Sequence, residues 1–225
     1  MLRYYLHYFD TLELNNTFYR LPTLAALEAW REAVPANFIF AVKASRFLTH
    51  NKKLKDPENA LENLLPRVET LGAKLGPILF QLPPKWRINL ERLQELLAVL
   101  PRKHRYAFEF RETSWLTDAV LDLLQKYEAA FCIYEIAGYH SPLHVTTDFA
   151  YVRLHGPTAN KYAGSYSDGQ LTEWAEWIEG QRKRLRAIYF YFDNDQAGYA
   201  AQNALTLKRM VAEKLGIPEP RLRAA

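Results

Sequence analysis

Tyr106-Ala-Phe-Glu-Phe-Arg111 decides how the rest of the chain is read. Successive side chains on a strand face opposite ways. Phe108 and Phe110 therefore share one face, while Ala107, Glu109 and Arg111 share the other. A bulky apolar face suits packing against helices. A mixed face ending in opposite charges suits the inside of a barrel, where polar groups near the strand ends meet solvent. The same design recurs in Thr11-Leu-Glu-Leu-Asn15, Ile39-Phe-Ala-Val-Lys43, Ile78-Leu-Phe-Gln81, Tyr151-Val-Arg-Leu-His155 and Ile188-Tyr-Phe-Tyr-Phe-Asp193. Phe131–Tyr134 adds a seventh, apolar strand candidate. In βα proteins, polar groups at the carboxyl ends of many strands converge on one rim, where active sites are built.

Helical segments separate most of these strands. Leu2–Phe9 precedes the first. Thr23 caps a helix reaching Ala33, and Asn89 caps Leu90–Leu100, whose apolar stripe is Leu93, Leu96, Leu97 and Leu100. Pro57 opens a helix that Pro66 should kink or divide. Ser114 or Thr117 caps the next, to about Tyr127. Leu171–Arg186 and Ala197–Leu215 complete the set, with Gly216 as the stop. Alternating strands and helices favour a parallel sheet over an α+β arrangement. No G-x-G-x-x-G or Walker pattern follows any strand, which weighs against an open dinucleotide-binding sheet. The expected fold is α/β, a TIM-type (β/α) barrel with seven recognisable strands. It forms a single domain over 1–225, with an irregular tail at 217–225.

The chain has 225 residues, enough to bury a sizeable core, and its 49% hydrophobic and 24% charged residues are ordinary for a globular protein. The formal charge of +4 permits an anionic ligand without demanding nucleic acid. A single cysteine, Cys132, cannot form an internal disulfide and fits a reducing cytoplasm. No apolar run reaches membrane-spanning length, and the amino terminus has no secretory pattern.

Several stretches together resemble the YecE-like family, known as domain of unknown function 72. They are Phe9-Asp-Thr-Leu-Glu-Leu-Asn-Asn-Thr-Phe-Tyr-Arg20, Phe40-Ala-Val-Lys-Ala-Ser45, Leu75-Gly-Pro-Ile-Leu-Phe-Gln-Leu-Pro-Pro84, Ala107-Phe-Glu-Phe-Arg111 with Ser114-Trp115, Tyr151-Val-Arg-Leu-His-Gly156 and Tyr189-Phe-Tyr-Phe-Asp-Asn194. The resemblance implies a TIM-type barrel with a polar cleft at the strand ends, and supplies no established reaction. Family members usually begin with a strand carrying a Gly-x-Ser-Gly-Trp-x-Tyr-like stretch. Here Met1 lies inside the segment that resembles the following helix, so that first strand is expected to be missing. Thr11–Asn15 and Ile188–Phe192 would then be open edges, available for self-association.

Lys43, Arg111 and Arg153 balance Glu13, Glu109 and Asp193 across the expected cleft. One reading is a site for a polar or anionic small molecule, with a carboxylate as general acid or base. The other is a self-neutralising network of buried charge. Glu109, beside Arg111, is the first candidate for proton transfer, with His155 and Asp193 as further catalytic candidates. Lys43, Arg111 and Arg153 would hold or polarise a substrate, with Glu13, Asn15, Gln81 and Asn194 orienting it. His155 reads equally as a hydrogen-bonded rim residue. A metal held by Glu13, Glu109, His155 and Asp193 lacks any supporting spacing, so no metal ligands are assigned and the cofactor is left open. Tyr19, Trp115, Tyr162 and Tyr166 lie just beyond strand ends and suit a sugar, nucleobase or other ring; each also reads as loop packing. Gly156–Gly169 has the composition of a mobile cover. The basic connection Arg46–Lys55, which includes His50, could contact phosphates or present a solvated face. Three functions follow: an enzyme acting on a polar or phosphorylated small molecule, a non-catalytic ligand-binding protein and, with least support, a protein that processes nucleic acid.

Overall fold

A computed structural model describes residues 2–218, and the chain divides into two compact units, 1–131 and 132–225. The expected tail thus lies mostly outside the described residues.

In the first unit, helix α1 (Leu2–Tyr5) leads to strand β1 (Thr11–Leu14). Helix α2 (Leu24–Ala33) follows, then β2 (Ile39–Lys43), α3 (Pro57–Val68), β3 (Leu75–Leu82), α4 (Leu90–Val99), β4 (Tyr106–Phe110) and α5 (Asp118–Lys126). Neighbouring strands pair in parallel, β1 with β2, β2 with β3 and β3 with β4. Ala130 and Phe131, at the start of β5 (Ala130–Ile136), pair with Ala107 and Phe108. The apolar face read from the sequence is an aromatic ladder. Phe80 stacks on Phe108 at 5.1 Å between centroids, and Phe110 stacks on Trp115 at 5.1 Å and on Phe131 at 6.2 Å.

Two helix starts follow from local chemistry. The side chain of Thr23 accepts from the Ala26 N–H at 3.2 Å, and Asn89 Oδ1 accepts from the Arg92 N–H at 2.9 Å. Each satisfies a donor that the first helical turn leaves without a partner. Other expectations need correction. The first helix stops at Tyr5, and a series of turns carries the chain to Phe9. Pro66 does not divide α3. It sits in the last turn, so the ring's disruption coincides with the helix end at Val68. The basic connection is partly helical, with a wide turn over Phe47–Asn51.

The second unit contains the rest of β5, a two-residue strand β6 (Tyr139–His140), β7 (Phe149–Leu154), α6 (Asp168–Gln181), β8 (Ala187–Phe192) and α7 (Tyr199–Leu215). β5, β7 and β8 pair in parallel, and β6 turns back antiparallel on β5. Helix α6 starts three residues before the expected Leu171. Ser167 accepts from the Gln170 N–H while the Gln170 side chain returns to the Ser167 N–H, a reciprocal cap that fixes the start. Gly216 ends α7 in the left-handed conformation at φ 62°, as expected of a helix stop. β1 pairs with β2 and β8 with β7, placing each at an end of the strand order. Among the described residues, no helix is long and apolar enough to cross a membrane.

Candidate functional site

In the first unit, strand register places the expected polar groups. Glu13 lies beside Ala41, Lys43 beside Leu79, and Gln81 beside Glu109. Residues two apart share a strand face, so Glu13, Lys43, Gln81 and Glu109 occupy one face of β1–β4, toward the carboxyl ends. Phe80 and Phe108 occupy the other. Glu109 is fully buried and its Oε1 pairs with Arg111 Nε, whose side chain is only 10% exposed. Gln81 donates from Nε2 to the Leu82 carbonyl at 3.3 Å. Thr17, a buried residue not singled out above, donates from Oγ1 toward the Leu14 and Lys43 carbonyls at 2.7 and 2.6 Å. It ties the turn after β1 to the end of β2.

That turn builds a cationic corner. Lys43 Nζ stands 4.6 Å from the centroid of the Phe18 ring, and Phe18 meets the His50 ring edge-to-face at 5.0 Å. His50 Nδ1 lies 3.0 Å from Thr49 Oγ1. Burial, with Lys43 and Arg46 nearby, lowers the His50 pKa to about 4. A positive field and a part-dry environment both disfavour a further positive charge. The imidazole is therefore neutral near pH 7. Sequence reading placed His50 only within a basic run. Its burial depends on how the Phe47–Asn51 turn folds against Phe18, which no local pattern shows.

Three expected residues here have other surroundings. Trp115 is a core residue, fully buried, donating Nε1–H to the Trp86 carbonyl at 2.7 Å and stacked on Phe110. Its ring faces are used by protein and are not a ligand platform. Asn15 precedes the short turn at Asn16–Phe18, and its carbonyl accepts the Phe18 N–H at 3.2 Å. Tyr19 is 79% exposed, with its ring edge-to-face on Phe18 at 5.1 Å.

In the second unit, Tyr134, Arg153 and Tyr191 are register partners on one face. Arg153 Nη2 reaches Asp193 Oδ2 at 2.7 Å, and His155 Nδ1 approaches the same oxygen at 3.3 Å. Arg153 Nη1 lies 3.4 Å from His155 Nε2. If Nε2 accepts from Arg153, then Nδ1 carries the proton on the side that faces Asp193. Arg153 and His155 are almost wholly buried. Tyr162 crosses the His155 ring edge-to-face at 5.4 Å and is half exposed.

Hydrogen bonds tie the segment after β7 at Gly156, Gly164 and Tyr166. Buried Asn194 donates to the Gly164 carbonyl and to Asn203 Oδ1, both at 2.9 Å. Asn203 Oδ1 also accepts the Tyr166 N–H at 3.2 Å, and the Tyr166 hydroxyl accepts the Gly156 N–H at 3.0 Å. Tyr166 is buried and Asn194 fully so; both hold the loop and present no open surface to a ligand. Among the described residues, no group of three or more His, Cys, Asp or Glu side chains is placed to hold a metal ion.

Comparison with known proteins matches residues 1–224 to the profile of a protein of unknown function, DUF72. The chain is similar to the YunF protein of Bacillus subtilis, 24% identical over 90% of this chain and 83% of that one. It is also similar to the YecE protein of Escherichia coli, 29% identical over 49% of this chain and 41% of that one. Among solved structures it resembles a DUF72 family protein from Thermotoga maritima, with a TM-score of 0.84 and 29% identity, covering 93% of this chain and 88% of the other. The fold class is thus α/β and TIM-like, as the strand pattern implied.

Proposed function

Because the chain belongs to the DUF72 family of proteins of unknown function, we propose its role from its own side chains: an enzyme acting on a small, polar, anionic molecule at the carboxyl ends of β1–β4. Lys43 fixes the anion, Gln81 orients it, and Glu109 moves a proton under the hold of Arg111. One observation carries this reading. Lys43 Nζ stands 4.6 Å from the Phe18 ring that meets His50 edge-to-face, and burial first, with Lys43 and Arg46 second, lowers the His50 pKa, which marks a part-dry, positive corner at the strand ends. Strand-end polar groups in this fold class are where chemistry is placed. A phosphate or carboxylate entering there gains charge-assisted hydrogen bonds without bringing a new positive charge. A reducing, cytoplasmic setting belongs to the same proposal, resting on the chain's single cysteine, the buried Cys132.

A second reading, a non-catalytic binding protein, is favoured by one specific feature. Glu109 is already paired with Arg111, so its carboxylate is engaged within the protein. The two readings share the anion corner and differ in Glu109. A panel of phosphorylated and carboxylated small molecules should raise the melting temperature of the chain, since binding to the native state stabilises by mass action. Lys43→Met, which keeps the apolar stem, should abolish that rise. Equal stabilisation of Lys43→Met would overturn the anion site. Turnover of a stabilising compound that Glu109→Gln loses, with stabilisation retained, supports the enzyme; stabilisation without turnover supports the binder.

A further inference from the structure

The second unit carries a cleft of about 230 Å³ on the side of the sheet opposite Arg153. Glu135, on β5, is the register partner of Leu154, which in turn pairs with Phe192. Phe190, two residues before Phe192, packs edge-to-face on Trp174 of α6 at 5.2 Å. Glu135 therefore faces α6, whereas Arg153 and Tyr191 face the other way. The walls of the cleft include Trp174, Trp177 and Leu143, with Gln170 and Glu173 at its polar margin. The two indoles meet at 5.7 Å with their planes 82° apart, so they present two nearly perpendicular ring faces.

Glu135 is 3% exposed. Among the described residues its Oε1 is a buried oxygen with no hydrogen-bond partner. Its other oxygen lies 3.5 Å from Nδ1 of His140, whose side chain is 65% exposed and well screened by water. A buried carboxylate without a full set of partners is costly, and is relieved by a proton or by a cation. Burial does raise the Glu135 pKa. The surroundings also favour a cation. Two carboxylates, Glu135 and Glu173, line the cleft, and among the described residues that line it there is no lysine or arginine. Indole faces attract cations through the ring quadrupole.

We infer that this cleft binds a small alkylammonium, its charged nitrogen on Glu135 and its carbon chain against Trp174 and Trp177. The ammonium supplies donors that the Glu135 oxygen lacks. The indoles supply apolar area and a negative ring face, and Glu173 adds attraction at the entrance. The volume lies below the roughly 300–1,000 Å³ of sites for drug-sized ligands, so the occupant is small. The inference does not depend on the anion corner of the first unit.

The test is calorimetric titration of the whole chain with n-butylammonium chloride, against n-butanol as the neutral analogue of similar shape. Saturable binding of butylammonium with quenching of tryptophan fluorescence is expected, with butanol at least tenfold weaker. Glu135→Gln should weaken butylammonium at least tenfold while keeping the fold, because it replaces a carboxylate by an amide of nearly the same shape. Glu173→Gln, at an exposed position, should weaken it by a smaller factor. Nα-acetyl-lysine amide separates the two sources of this chemistry. Preference for it assigns the cleft to a lysine side chain of another protein, and preference for butylammonium assigns it to a free amine. No saturable binding of either ammonium would overturn the inference, as would equal affinity for butanol or undiminished binding by Glu135→Gln.

Discussion

The Glu109–Arg111 pair poses the sharpest question at the scale of single residues. A buried ion pair is weak evidence for stability, yet removing one partner strands the other and typically costs about 3–5 kcal/mol. Glu109→Gln should therefore lower the denaturation midpoint clearly. Replacing both, Glu109→Leu with Arg111→Met, should recover most of that loss, because apolar replacements of buried pairs are often neutral or stabilising. Urea titration of the three proteins checks this. A double variant as unstable as the single one would show that the pair is structurally required, weakening its place in a functional site. Gly156 gives a second prediction. Its φ is 103°, and a Cβ there would strike the Ala163 backbone. Gly156→Ala combines strain at an unfavourable φ with a backbone clash and should destabilise by about 2–4 kcal/mol. An unchanged midpoint would mean that the loop after β7 is held less firmly than its hydrogen bonds indicate.

At the scale of elements, the caps test how far local chemistry sets the fold. Asn89→Ala removes the side-chain acceptor for Arg92 N–H and should cost about 1 kcal/mol, read as a lowered melting temperature. Such elements were legible because their causes are local. Asn89 and Thr23 lie immediately before apolar helical stripes, and strand alternation separated Phe108 and Phe110 from Glu109. The start of α6 was less legible, because Gly169 in its first turn hid the Ser167–Gln170 cap. The strand reading at Phe131–Tyr134 stopped one residue before Glu135, although a charged residue ending an apolar strand was the very signal used elsewhere. Trp115 and Tyr166 follow strand ends in sequence, but whether such a ring lines a cleft or fills the core depends on long-range packing. Trp86 and Phe110 take Trp115, while Asn203 and Gly156 take Tyr166.

At the scale of the whole molecule, the formal charge of +4 conceals local fields of both signs. Lys43 and Arg46 surround His50 in the first unit, whereas Glu135 and Glu173 line the cleft of the second. No count of charges along the sequence separates these two environments. The lowered His50 pKa also couples stability to pH. The folded state keeps this imidazole neutral down to about 4, while the unfolded chain takes a proton near its ordinary value of 6.5. Below 6.5 the unfolded state binds the extra proton, so this group's contribution to stability falls as pH drops from 6.5 toward 4 and is constant above 6.5. The same histidine is the most direct probe of the anion corner. Its NMR titration is measured in inorganic phosphate and in chloride at equal ionic strength, for the native chain and for Lys43→Met. The account predicts a pKa near 4 in chloride and a clear upward shift in phosphate. Lys43→Met should raise the value in chloride and lose the phosphate response. Identical His50 titrations of the native chain in phosphate and chloride would contradict the anion site.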